Sequence, residues 1–178
     1  MDTTLRGDGA LVELKMENGG LNVYLSDTKG VKYLQLRWNE KMRKDVRVLG
    51  DAYERGYGDL QWDTIRPERT MPWYMAVSNG SDACLNYEGR FTECFGVMTQ
   101  PNAMCFWQYD THGVTLWLDV RNGGAPAYLG DRVLECATVV FGEYRDTSAY
   151  GALEDFCSVM SPSPYLPENK VYGSNNWY

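Results

Sequence analysis

Histidine is nearly absent from this sequence: His112 is the only one in 178 residues. No Cys-x-x-Cys spacing accompanies it, so a zinc site lacks both its ligands and its pattern. His112 lies in Asp110-Thr-His-Gly113, a turn between two strands. That position gives no reason to expect the neighbouring nucleophile that a Ser–His or Cys–His centre requires. The GxxxxGK phosphate loop is also missing. Positive charge is scarce: 17 Lys and Arg face 24 Asp and Glu, the net charge is −7, and no basic cluster exceeds Lys41-Met-Arg-Lys44. Phosphate backbones are bound by neutralising Lys and Arg, so the expectation is no nucleic-acid partner. No apolar run of about 18 residues and no charged-then-apolar leader occurs, and no membrane partner is expected. The five cysteines (Cys84, Cys94, Cys105, Cys136, Cys157) are odd in number. Their simplest reading is free, buried thiols in a reducing, cytoplasmic setting. No cofactor is expected.

What the chain does have is length and aromatic side chains. At 178 residues it suits one main domain, which buries roughly 70% of its unfolded surface and needs no disulfide or metal for a core. Thirteen Tyr and six Trp are many for this length. They suit half-polar surfaces such as sugar sites, and equally the core of a β-rich fold, because pleated sheets favour aromatics.

The hydrophobic pattern has period two, broken by Gly and Asn/Asp turns. Residues 10–16 alternate, Glu17-Asn-Gly-Gly20 has hairpin-turn chemistry, and residues 21–25 answer. Further strands are expected at 31–38, 71–78, 83–87, 93–99, 103–109 and 114–120, with a long one at 132–144. One helix is expected near the C-terminus, capped by Thr147 or Ser148, with Tyr150, Leu153, Phe156, Cys157 and Met160 on its apolar face. Ser161-Pro162 ends it, and Pro162, Pro164 and Pro167 make the following segment a stiff connector. The fold class is therefore an all-β, antiparallel β-sandwich with one short C-terminal helix and a proline-rich linker.

The densest polar-aromatic stretch is residues 49–62. It holds Asp51, Glu54 and Asp59, one cation in Arg55, and Tyr53, Tyr57 and Trp62, hinged by Gly50, Gly56 and Gly58. Carboxylates and Arg hydrogen-bond hydroxyls while aromatic faces pack on the apolar side of a sugar ring. The alternative is a glycine-rich connection whose Arg55 pairs with a carboxylate and whose aromatics fill the sandwich. Two carboxylates can also hydrolyse a glycosidic bond, but only at separations that sequence proximity does not establish. Residues 116–124 form a strand and turn in which Asp119 and Arg121, two apart, share one side and are placed to pair.

Residues 49–62, Met71-Pro-Trp-Tyr74, residues 116–124 and Val171-Tyr-Gly-Ser-Asn-Asn-Trp-Tyr178 together resemble the N-terminal sandwich of α-galactosidase-like glycoside hydrolases of the family 27/36 group. In that group a mutarotase-like supersandwich precedes a (β/α)8 catalytic barrel. The terminal segment resembles the barrel's first strand, with a Gly-Trp-Asn-Ser-Trp type motif matched by Gly173, Asn175 or Asn176, and Trp177, and departed from at Ser174. The resemblance implies three parts: residues 1–160 as sandwich, 161–170 as linker and 171–178 as the start of a barrel. It places the catalytic aspartates in the barrel, so no catalytic residue is assigned to this chain. Its carbohydrate-binding candidates are Asp59, Trp62, Arg55 and Trp73, and its expected partners are an α-galactoside-like carbohydrate and its own downstream barrel. An exposed aromatic patch would suit barrel packing or homo-oligomer formation. The alternatives are a free-standing carbohydrate-binding module, using Trp62, Trp73 or Tyr57 as a platform, and a mutarotase-like epimerase. The resemblance predicts a reading frame that continues about 250 residues or more after Tyr178. A native stop codon directly after Tyr178 refutes it.

Overall fold

The computed structural model describes residues 3–7, 9–26, 29–41, 45–54, 56, 60–80 and 86–174. Along the chain run β1 (Thr3–Gly7), β2 (Ala10–Glu17), β3 (Gly20–Ser26), β4 (Tyr33–Asn39), β5 (Arg47–Gly50), β6 (Met71–Pro72), β7 (Tyr74–Ser78), β8 (Phe91–Val97), β9 (Met104–Asp110), β10 (Gly113–Asp119), β11 (Leu134–Arg145) and α1 (Ala149–Met160). The strands form two antiparallel sheets, one of seven strands in the order β1-β2-β3-β11-β8-β7-β5 and one of four in the order β4-β10-β9-β6. This is the expected all-β sandwich.

Turn chemistry sets the register. Asn18 and Gly19 join β2 to β3 with φ of 52° and 80°, the left-handed pair that a two-residue hairpin needs. Glu17 therefore faces Gly20, and Ala10, Val12 and Leu14 of β2 fall on the face that packs against the core. Asp110 closes the β9–β10 turn by accepting the His112 backbone N–H at 2.7 Å. At the end of that turn Gly113 has φ 144°, and a Cβ there would lie 2.0 Å from the Trp38 carbonyl oxygen, so β10 meets β4 only through glycine.

Alternation then sorts the core. Val23, Leu25, Met75, Val77, Phe95 and Val139 of the large sheet face Leu36, Cys105, Trp107, Val114, Leu116 and Leu118 of the small one. The intervening positions of β7, β8 and β11 point away from the small sheet. There Ala76, Cys94 and Val140 form a second buried cluster under Phe156 of α1. Ser148 caps that helix, its hydroxyl accepting the Gly151 N–H at 2.9 Å. The Thr99 N–H donates to the Met160 carbonyl at 2.9 Å and ties down the other end.

Several expectations need correction. Tyr150 and Cys157 are exposed, because the helix turns Ala149, Ala152 and Phe156 inward. Cys94, Cys105 and Cys136 are buried and free as expected, and Cys84 lies outside the described residues. The 71–78 strand is interrupted at Trp73, and the long strand bulges between Glu135 and Ala137 but stays within the large sheet. Residues 83–85 lie outside the described set, while Asn86 and Tyr87 belong to no strand. Strands β1 and β5 were not anticipated, being short and without alternation. Residues 161–174 hold no helix or strand, and Asn175, Asn176, Trp177 and Tyr178 lie outside the described residues.

Two glycines let the helix approach. A Cβ at Gly96 would lie 2.8 Å from Phe156 Cε1, and one at Gly142 3.0 Å from Phe156 Cδ2. Phe156 is fully buried and has no room to retreat. Gly96→Ala is expected to destabilise the chain by about 1–3 kcal/mol through overpacking, against about 1 kcal/mol for Ser148→Ala. Urea unfolding followed by circular dichroism checks both values.

Candidate functional site

The chain changes sheets at Trp73, between β6 of the small sheet and β7 of the large one. Its φ is 67°, a left-handed conformation that a bulky residue adopts only when its surroundings enforce it. Three hydrogen bonds do so. Trp73 N–H donates to the Cys105 carbonyl of β9 at 3.2 Å. Its carbonyl accepts from Val97 N–H of β8 at 3.2 Å and from the Trp107 indole Nε1–H at 3.1 Å. One residue is thus pinned to both sheets, and its half-buried side chain is left at the edge of the core.

Trp73 and Pro101 line two adjoining clefts there. The first, of about 550 Å³, has mixed polar and apolar walls, with Asn102, Met104, Asp119 and Arg121 among them. The second, of about 600 Å³, is mainly apolar and is walled by Tyr74, Met98 and Met160, with the buried Asp51 among its lining residues. The Oδ1 of Asp51 accepts the Ala52 N–H at 2.9 Å.

Asp119 and Arg121 pair as expected. Arg121 Nε lies 2.9 Å from Oδ1 and its terminal nitrogen 2.6 Å from Oδ2, while the Arg121 backbone N–H reaches Oδ1 at 3.0 Å. The guanidinium also rests over the Tyr33 ring, 4.7 Å from its centroid. Hydrogen bonding from Arg121 outweighs burial and holds the Asp119 carboxyl below its ordinary range. The result is a rigid, ionised fork that offers fixed donors and acceptors, which suits hydroxyl recognition better than proton donation. Burial, then the nearby Asp119 charge, pushes the Tyr53 hydroxyl upward, so it keeps its proton.

The sequence candidates separate. Trp73 lines both clefts. Trp62 lines neither and packs half-buried beside the cluster under α1. Asp59 and Arg55 lie outside the described residues, as does Tyr57. Asp51, treated in the sequence only as part of an acidic stretch, is 3% exposed. Asn102 and Met104 were missed as site residues, because no local pattern shows that the start of β9 and the residues before it meet Asp119 in one cleft. His112 is highly exposed at the opposite end of the β9–β10 hairpin from Met104 and Asp119. About 20 Å of strand separates it from the clefts, which leaves the epimerase alternative without a histidine there. Among the described residues no group of three His, Cys, Asp or Glu could hold a metal ion.

No known family model, curated protein or solved structure matches the chain.

Asp110 has the same arrangement as Asp119. Arg37 grips both its oxygens at 2.8 and 2.7 Å and holds it below the usual carboxylate range. Both carboxyls bind protons less readily folded than unfolded, where the ordinary value is about 4. Their stabilisation is complete above that pH and is lost as pH falls through the depressed folded values. The urea midpoint of the wild type is expected to drop as the pH falls below about 4. An Asp110→Asn, Asp119→Asn double variant should start lower at pH 7 and fall less over the same range.

Proposed function

We propose that this chain is a non-catalytic, carbohydrate-contacting sandwich that serves an α-galactosidase-like glycoside hydrolase, packing on its catalytic barrel and shaping part of the sugar pocket. The observation that carries this reading is Trp73: a left-handed aromatic, held by both sheets, beside the Asp119–Arg121 fork. An aromatic ring and a rigid charged fork in one cleft supply what a sugar needs, a stacking face and in-plane hydrogen bonds. Fixing Trp73 by its backbone reduces the entropy lost when a ligand stacks on it.

Barrel packing has its own support. The chain leaves α1 at Ser161, which lines the apolar cleft, so the proline-rich segment departs from the cleft wall. Along that segment Tyr165 is 97% exposed, and Leu166, Val171 and Tyr172 are also exposed. These apolar side chains have little contact with the sandwich, and a second domain beside the cleft would cover them.

Titration of the chain with methyl α-galactoside, followed by tryptophan fluorescence, tests the sugar contact. A Kd on the order of millimolar is expected, the range for a small, one-sided site. Trp73→Ala should weaken it about tenfold or more with the far-ultraviolet spectrum unchanged. Saturable binding that is indifferent to Trp73→Ala, or no binding, refutes the reading.

A further inference from the structure

Among the described residues no helix or strand covers the outer face of the four-stranded sheet, which is rich in half-buried aromatics. Leu34, Leu36, Trp38, Cys105, Trp107, Tyr109, Val114, Leu116 and Leu118 all turn toward the core. Alternation therefore places Tyr33, Gln35 and Arg37 of β4, Trp117 and Asp119 of β10, and Met104, Phe106 and Gln108 of β9 on the outside. Trp117 faces Phe106 across one strand pair and Gln35 across the other.

We propose that this face is a platform for a neutral oligosaccharide, with Trp117 and Phe106 as its floor and Gln35 as its free hydrogen-bonding group. The platform shares the carbohydrate class of the preceding reading but does not depend on Trp73.

The floor is preorganised. Trp117 and Phe106 are half-buried and stack on each other, their ring centroids 6.1 Å apart at 14°, and Tyr33 meets Trp117 edge-on at 6.4 Å. The Trp117 indole N–H donates to Gln108 Oε1 at 2.8 Å, and Gln108 Nε2 donates in turn to the Pro67 carbonyl at 3.0 Å. These bonds hold the indole orientation before any ligand arrives. Gln35 differs: it is exposed, and its amide has no partner among the described residues. A free amide carries both donors and an acceptor, enough to read adjacent hydroxyls of a sugar lying on the neighbouring indole.

Charge identifies the ligand class. The protein carries a net charge of −7, yet the four charged groups of this face are two closed pairs, Arg37 with Asp110 and Arg121 with Asp119. The face thus has polar groups and little net charge, which suits a neutral polyhydroxylated ligand over an anionic or cationic one. The two ion pairs sit at opposite ends of the face, and a protein partner broad enough to cover the whole face would have to desolvate both, a cost of several kcal/mol per buried ion before any gain. A glycan on the aromatic floor leaves them hydrated at the rim. From β4 to β9 is two strand spacings, about 10 Å, room for a short run of sugar rings.

The test uses the chain with cellotriose, xylotriose, mannotriose and trigalacturonate as probes, read by isothermal titration and by the Trp117 indole N–H signal in NMR. At least one neutral triose is expected to bind with a millimolar Kd and shift that signal, while trigalacturonate is not. Gln35→Ala should weaken binding about fivefold or more, Trp117→Ala tenfold or more, and Trp73→Ala should leave it unchanged. Should Trp117→Ala fail to fold, Gln35→Ala still decides, because its side chain is exposed and unbonded. The proposal is overturned if no neutral triose binds, if binding ignores Gln35→Ala, or if it is Trp73→Ala that abolishes it. Self-association that Trp117→Ala dissolves would also overturn it, by showing a second copy on this face. Methyl α-galactoside binding that responds to Trp73→Ala but not to Gln35→Ala tests the cleft alone, so that reading and the platform can fail separately.

Discussion

The fold depends on where one buried indole N–H finds its acceptor. Trp107 is fully buried between the sheets, and truncating such a side chain costs about 3–5 kcal/mol. That burial is favourable only if its Nε1–H is bonded, since an orphaned polar group in the core costs about 1–3 kcal/mol. The acceptor is the carbonyl of Trp73, which already receives Val97 N–H from the large sheet. Satisfying both donors requires the Trp73 peptide to turn toward the core, and a left-handed φ accompanies that turn. The strained residue at the rim of the clefts is thus a consequence of satisfying the core. Strain, core and candidate site are one constraint seen from three places.

The same economy governs charge. An acidic chain would be expected to carry a strong negative field, yet its small sheet closes its charges into pairs. Arg37 joins Asp110 to Thr115, with 2.7 Å to the Thr115 hydroxyl, and so links β4, β9 and β10 on their outer face. Arg121 is held between Asp119 and the Tyr33 ring. Pairs of this exposure contribute little to stability singly. Their larger effect is to fix donor and acceptor directions on a face and in a cleft that are rich in aromatics.

The large sheet is shaped instead by steric permission. Cys94, Gly96 and Gly142 leave its outer surface low enough for Phe156 to seat, and α1 covers it. The two faces of the sandwich thereby acquire different fates. The helix seals part of the large sheet, while the small sheet keeps Trp117, Phe106 and Tyr33 within reach of solvent.

Much of the architecture was legible because it rests on local chemistry. Asn18-Gly19 imposes a left-handed hairpin on any strands that flank it, alternation in β9 and β10 marks their inner faces, and Ser148 announces a helix start. The Asp119–Arg121 pair was also readable, since two residues apart in a strand means one side. What local chemistry does not encode is convergence. Nothing near Trp73 in the chain reveals that Val97, Cys105 and Trp107 would fix its backbone, and its φ runs against its own side-chain preference. Trp62 and Trp73 looked equivalent as aromatics near acidic loops, yet Trp62 packs on the cluster under α1 while Trp73 packs on the main core and lines both clefts. The helix illustrates the same limit: spacing alone admitted Tyr150 and Cys157 to the buried face, and only the height of the sheet below decided for Ala149 and Ala152. Sequence by itself determined the period, the turns and hence an antiparallel sandwich, because backbone sterics act between neighbours. Tertiary structure alone decided which aromatics became core, cleft wall or outer sheet face, because burial is settled by whatever packs on the other side.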